Sequence, residues 1–178
     1  VNCYVLEDER GVAVVDPGLP GEDSWGHLVD RLSGAGYAVN DVHTVVVTHS
    51  HPDHFGGAMR LRHETGADIV THESFRTIFD TSDFDDEEDS SALDLNSPDD
   101  QRAAMERYFS KPSPWGGRRA GPSAEFMERM RKANGSTGVS FSTPRPTLPL
   151  VDGQTIKLAR REWVAMHTPG HTYDHLCL

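Results

Sequence analysis

The stretch from Val47 to Gly57, VTHSHPDHFGG, places three histidines and an aspartate within six positions. His49 and His51 stand two apart at the end of the run Val45-Val46-Val47. In extended backbone, residues i and i+2 point to the same side, so both imidazoles can converge on one ion. Pro52 restricts how the chain continues. Asp53 and His54 then fall where the next helix begins and can turn toward a neighbouring point. One segment therefore offers two groups of ligands. At this composition the pattern HxHxDH arises by chance in about three chains per thousand, which sets it apart from a polar loop with incidental histidines. Imidazole and carboxylate suit Zn2+, Fe2+ or Mn2+. With no thiolate in the set, a closed structural zinc site is disfavoured, and catalytic sites keep a position open for water.

Four ligands from six residues rarely complete a two-metal site. The candidate for a further histidine is His171, where Thr168-Pro169-Gly170 forms a tight turn that can present its side chain at a sheet edge. His72, His167 and His175 read as residues that buttress the site or pack near it. His27, His43 and His63 read as surface histidines.

Working outward, the pattern is strand, helix, strand. Residues 2–6 and 12–15 form a hairpin pattern with Gly11 at the turn. Trp25, Leu28, Val29 and Leu32 give one apolar stripe on a helix that starts near Glu22 and Asp23 and ends at Gly34 and Gly36. The valine run suggests a strand buried on both faces, in a sheet covered by helices on each side. FGGAMRLRHETG reads as a helix closed by Gly66, ADIVTH as a strand and ESFRTIFD as a short helix. This order predicts a layered α/β fold. Residues 80–100 are mostly acid and Ser, a solvated loop by composition. Helices are expected at 99–110 and 123–135, so 80–146 reads as a helical and acidic insertion. After Pro149, QTIKLA and EWVAMH flank a turn, with Asp152-Gly153 as a turn signal.

The chain has 178 residues, enough for one domain with a buried core. Its formal charge of −11 argues against a nucleic-acid partner, since binding phosphates by charge needs a basic face. No apolar run approaches the roughly 18 residues of a membrane span, and no signal-peptide pattern is present. With Cys3 and Cys177 read as reduced thiols, the expected compartment is the cytoplasm. Both ends fall inside strand-like runs, which reads as part of a longer protein.

Together these pieces resemble the metallo-β-lactamase fold superfamily, in its glyoxalase II-like flavour. The residues that carry the resemblance are Asp16 in VVDPG, His49, His51, Asp53 and His54 in THSHPDH, and His171 in TPGHT. It implies an αββα sandwich, here incomplete at its C-terminus, over a single domain spanning 1–178. It also implies that His49, His51 and His171 bind a first metal, that Asp53 and His54 bind a second, and that Asp16 is a structural residue at the floor of the site. The family's bridging aspartate and final histidine have no counterpart; Asp174 is too close to His171 for the former. The expected protein is a one- or two-ion zinc hydrolase that uses metal-bound hydroxide on an ester, thioester or lactone of small size, with Asp53 orienting the hydroxide. The alternatives are a mononuclear iron oxidoreductase of the same fold acting on persulfides, and a catalytically incomplete fragment, with a homodimer as one way to complete the sheet.

Overall fold

The computed structural model describes residues 1–77 and 143–178, together with Glu106, Ser110 and Gly117. The acidic loop, both helices expected at 99–110 and 123–135, and nearly all of the expected insertion lie outside the described residues.

The described chain centres on a five-stranded sheet ordered β1-β2-β3-β4-β5. Strands β1 (Tyr4–Asp8) and β2 (Gly11–Val15) form the hairpin expected from sequence, shifted by two residues at its start. From β2 onward the sheet is parallel: β3 (Val42–Val46), β4 (Asp68–His72) and β5 (Leu148–Leu150) follow in order. Helix α1 (Glu22–Gly34) joins β2 to β3, and helices α2 (Pro52–Phe55) and α3 (Ala58–Thr65) join β3 to β4. Gly66 takes a left-handed conformation, φ 75°, that closes α3, as expected of glycine past a helix end. Two ribbons follow, β6 (Thr155–Leu158) with β7 (Arg161–Val164), and β8 (Met166–His167) with β9 (Leu176–Cys177).

The alternation of side chains along the strands sorts the core into two layers. Val12, Val14, Val45, Val47 and Ile69 face Leu28, Leu32, Phe55, Ala58 and Leu61 of the helices. Ala13, Val46, Val70 and Leu150 face Leu158, Ala165 and Leu176 of the ribbons. The valine strand is thus buried on both faces as expected; among the described residues, helices pack on one face and β-ribbons on the other. The described part of the second layer is β-structure, because the segment after β5 carries short period-2 runs broken by turns and folds into hairpins.

Three smaller expectations change. Residues 73–77 of ESFRTIFD make a turn rather than a helix: the Glu73 N–H extends the β4–β5 ladder to Leu150 O at 2.9 Å, and the Phe75 N–H closes on His72 O at 3.0 Å. The β6–β7 turn is made by Ala159 and Arg160, with φ of 53° and 58°, while Asp152-Gly153 forms a separate turn before β6. His43 is not a free surface residue; its ring reaches Asp8 at 2.9 Å and its side chain is 15% exposed.

The break between α2 and α3 is the glycine pair Gly56-Gly57, packed on the Asp16–Gly21 loop. The Gly57 N–H donates to Gly18 O at 3.2 Å, and a Cβ on Gly56 would collide with Pro20. This close approach carries His54 against Asp16. Gly56→Ala is therefore expected to destabilise the fold by about 1–3 kcal/mol, through displaced backbone rather than lost burial. Urea unfolding should show a lower midpoint at unchanged slope; an unchanged midpoint would contradict this packing.

Candidate metal centre

The site lies at the carboxyl ends of the parallel strands, where open α/β sheets bind ligands. Asp16 follows β2, Thr48 and His49 follow β3, and His72 ends β4. The strand ladder continues past β2 through the Asp16 N–H, which donates to Val46 O at 2.9 Å. Asp16 itself has φ 53° and is 5% exposed. A left-handed backbone is tolerated by Asp better than by most residues, and here it turns the carboxylate into the site.

That carboxylate accepts three hydrogen bonds. The Thr48 N–H donates to Oδ1 at 2.8 Å, and the Thr48 hydroxyl and His54 Nδ1 donate to Oδ2 at 2.8 Å each. A carboxylate only accepts, so His54 carries a proton on Nδ1. Thr48 Oγ1 also lies 3.0 Å from His49 Nδ1. Its single hydrogen is given to Asp16, so it accepts from His49 Nδ1–H; His49 is kept neutral by burial, and its Nε2 is bare. One buried carboxylate thus fixes a proton on the Nδ1 of two histidines.

The bare His49 Nε2 faces other ring nitrogens. His49 Nε2 is 3.2 Å from His51 Nδ1, which is 3.0 Å from His171 Nε2. The ligand atoms of His49, His51 and His171 all lie within 4.8 Å of one another. Three imidazoles cannot all donate into that space. Nitrogens held at about 2.0–2.1 Å from one tetrahedral zinc are spaced similarly, so these residues fit a metal ion. The buried His49 is held neutral, with its pKa lowered to about 2 by desolvation and by the neighbouring His54, His51, His171 and His175. His51 is lowered by burial first and then by His171. Neutral imidazole is the ligating form.

His54 Nε2 lies 3.7 Å from Asp53 Oδ2, whose side chain is 40% exposed. The two sequence-expected groups are therefore present side by side, with the His49 and His54 rings 3.9 Å apart. Among the described residues, the second group has no third ligand in reach. His175 stands next to the cluster, 5.2 Å from the His49 ring, and its Nδ1 is 2.9 Å from the Thr168 hydroxyl. His72 and His167 stack on each other at 3.8 Å, apart from the ligand cluster. Thr48, Ser50 and Asp174 join the site without any signal in the sequence beyond their proximity to a histidine.

A family model described as the metallo-beta-lactamase superfamily matches residues 1–178, and the chain belongs to that superfamily. Among curated proteins it is similar to the hydroxyacylglutathione hydrolase of Albidiferax ferrireducens, 39% identical over 66 residues that make up 37% of this chain and 23% of that protein. It is also similar to the hydroxyacylglutathione hydrolase GloC of Haemophilus influenzae, 32% identical over 38% of this chain and 29% of that protein. Among solved structures, a metallo-beta-lactamase family protein of Thermus thermophilus is 27% identical with a TM-score of 0.65, over 99% of this chain and 49% of that one. A class B3 di-zinc metallo-beta-lactamase from an Alaskan soil metagenome shares the fold at 21% identity and a TM-score of 0.57, over 98% of this chain and 48% of that one. The chain thus spans about half the length of these solved relatives.

The lowered His49 pKa makes stability depend on pH. Between about pH 6.5 and 2 the unfolded chain holds a proton on this histidine that the folded chain lacks. Stability of the metal-free protein from this group is present above pH 6.5 and is lost as pH falls, by at most about 1.4 kcal/mol per pH unit. Asp174, whose pKa burial raises, acts in the opposite direction. Urea unfolding of metal-free protein from pH 7 to pH 4 should show a steeper loss than the same series on His49→Gln; equal slopes would contradict a buried neutral His49. Thr48→Val, which removes the hydroxyl between Asp16 and His49, is expected to weaken metal binding about tenfold or more, read by competition with a chromophoric chelator.

Proposed function

We propose that the protein is a metal-dependent hydrolase of a small ester, thioester or lactone, with zinc the favoured ion. His49, His51 and His171 hold the first ion, and Asp53 with His54 contribute to a second. The observation that carries this reading is the convergence of three ring nitrogens within 4.8 Å from two segments 120 residues apart. The names of the two curated relatives favour a thioester of glutathione as the first substrate class to test.

A zinc ion bound there supplies a Lewis acid that polarises a carbonyl oxygen and lowers the pKa of water toward about 7. The chain's own residues do the rest. Asp16 keeps the His49 and His54 nitrogens turned toward the centre. Asp53, at the exposed rim, accepts a hydrogen bond from the incoming water and holds its proton. His171 is exposed, so the site is open on that side to a small substrate. Two donors in the second group are fewer than a tetrahedral ion needs, so the second ion depends on residues beyond those described.

The full-length protein is expected to bind zinc and to hydrolyse a hydroxyacyl-glutathione thioester, followed by loss of thioester absorbance. Chelation should abolish turnover, and His49→Ala should lower kcat/KM by at least about a hundredfold, since even residues that only orient ligands cost 10–100-fold. Turnover that survives chelation, or purified protein that carries iron and consumes oxygen, would overturn this reading.

A further inference from the structure

A buried carboxylate outside the histidine set joins the two segments of the site. Asp174 is 3% exposed and lies three residues after His171. Its Oδ1 accepts a hydrogen bond from the Ser50 hydroxyl at 3.0 Å, and Ser50 is the residue between His49 and His51. Burial raises the Asp174 pKa, while the Thr172 and Ser50 hydroxyls and the N–H groups of Asp174 and Ser50 lower it. Among the described residues Oδ2 has no donor in good alignment. Two residues further on, the Leu176 N–H donates to Thr48 O at 2.8 Å. Residues 174–176 are therefore pinned to residues 48–50 on both sides of His49.

His171 needs such an anchor. Its ring is exposed, and it touches the edges of the His49 and His51 rings, at 5.0 and 4.5 Å between centroids. Its place relative to them is set by the turn that carries it. A carboxylate is costly to bury when a core needs only bulk, and this one spends its aligned bond on the loop between two candidate ligands. We propose that Asp174 is a positioning residue: through Ser50 it sets the separation of His171 from the His49–His51 pair, and with it the affinity for the first ion. The inference rests on the reading of those three histidines as ligands.

The test is zinc titration of full-length protein against a chromophoric chelator, with urea unfolding of the metal-free forms alongside. Asp174→Ala should weaken zinc binding about 10–100-fold, and Ser50→Ala should weaken it in the same direction. The double variant should bind no more weakly than Asp174→Ala alone, because the two side chains act through one contact. Asp174→Asn keeps an oxygen that accepts from Ser50 and should recover most of the affinity. Additive losses, an Asn variant as weak as Ala, or a Ser50→Ala protein with unaltered affinity would overturn the proposal; the last holds even if Asp174→Ala does not fold. If the unaltered protein takes up no zinc, the proposed function falls and this inference with it. If it does and Asp174→Ala binds equally well, this inference alone falls.

Discussion

The carboxylate of Asp16 is the constraint on which the rest of the site depends. It receives three donors from two residues, Thr48 and His54, that the fold brings to it across 32 and 38 positions of sequence. Each donor spent on Asp16 decides where a proton sits. The Thr48 hydroxyl faces inward, so His49 must donate to it; His54 donates directly. The result is a pair of imidazoles whose Nδ1–H groups are committed to Asp16 and Thr48 and whose Nε2 atoms are turned away from the carboxylate. Removing Asp16 would leave a buried N–H and hydroxyl without partners, a cost of about 1–3 kcal/mol per group, and would free both rings to choose the other tautomer.

The fold makes that contact by simple means. Parallel strands end at one edge of the sheet, so the residues after β2, β3 and β4 meet there. The left-handed backbone at Asp16 and the two glycines at 56–57 let two loops approach closely enough for His54 to reach its acceptor. The ribbon β8–β9 then covers the edge and delivers His171, with Leu176 and Asp174 bonded to residues 48 and 50. Both layers bury core residues, and the β layer also brings His171 to the other histidines.

Much of this is legible in the sequence where the signal is local. Three consecutive valines mark β3, the apolar stripe from Trp25 to Leu32 marks α1, and Gly66 marks the end of α3. The spacing of His49, His51, Asp53 and His54 by itself separates two groups of candidate ligands. What is not legible is long-range. Nothing near His43 says that Asp8 will lie beside it, because that partner comes from a strand more than 30 positions away. The turn at 73–77 stands in place of the expected helix, with the Glu73 N–H bonded to Leu150 O of β5, more than 70 residues later. Among the described residues the second face meets β-ribbons rather than the expected helices, because a strand buried on both faces reports burial, not what buries it. Asp174 gives no signal, since its partner Ser50 is 124 positions away.

The most direct test of the Asp16 constraint is the tautomer state of the imidazoles in metal-free protein, read from long-range 1H–15N correlation spectra at neutral pH. His49 is expected to be neutral with its proton on Nδ1, and His54 is expected to carry a proton on Nδ1. An Nε2-protonated or doubly protonated His49, or a His54 with Nδ1 bare, would contradict the constraint.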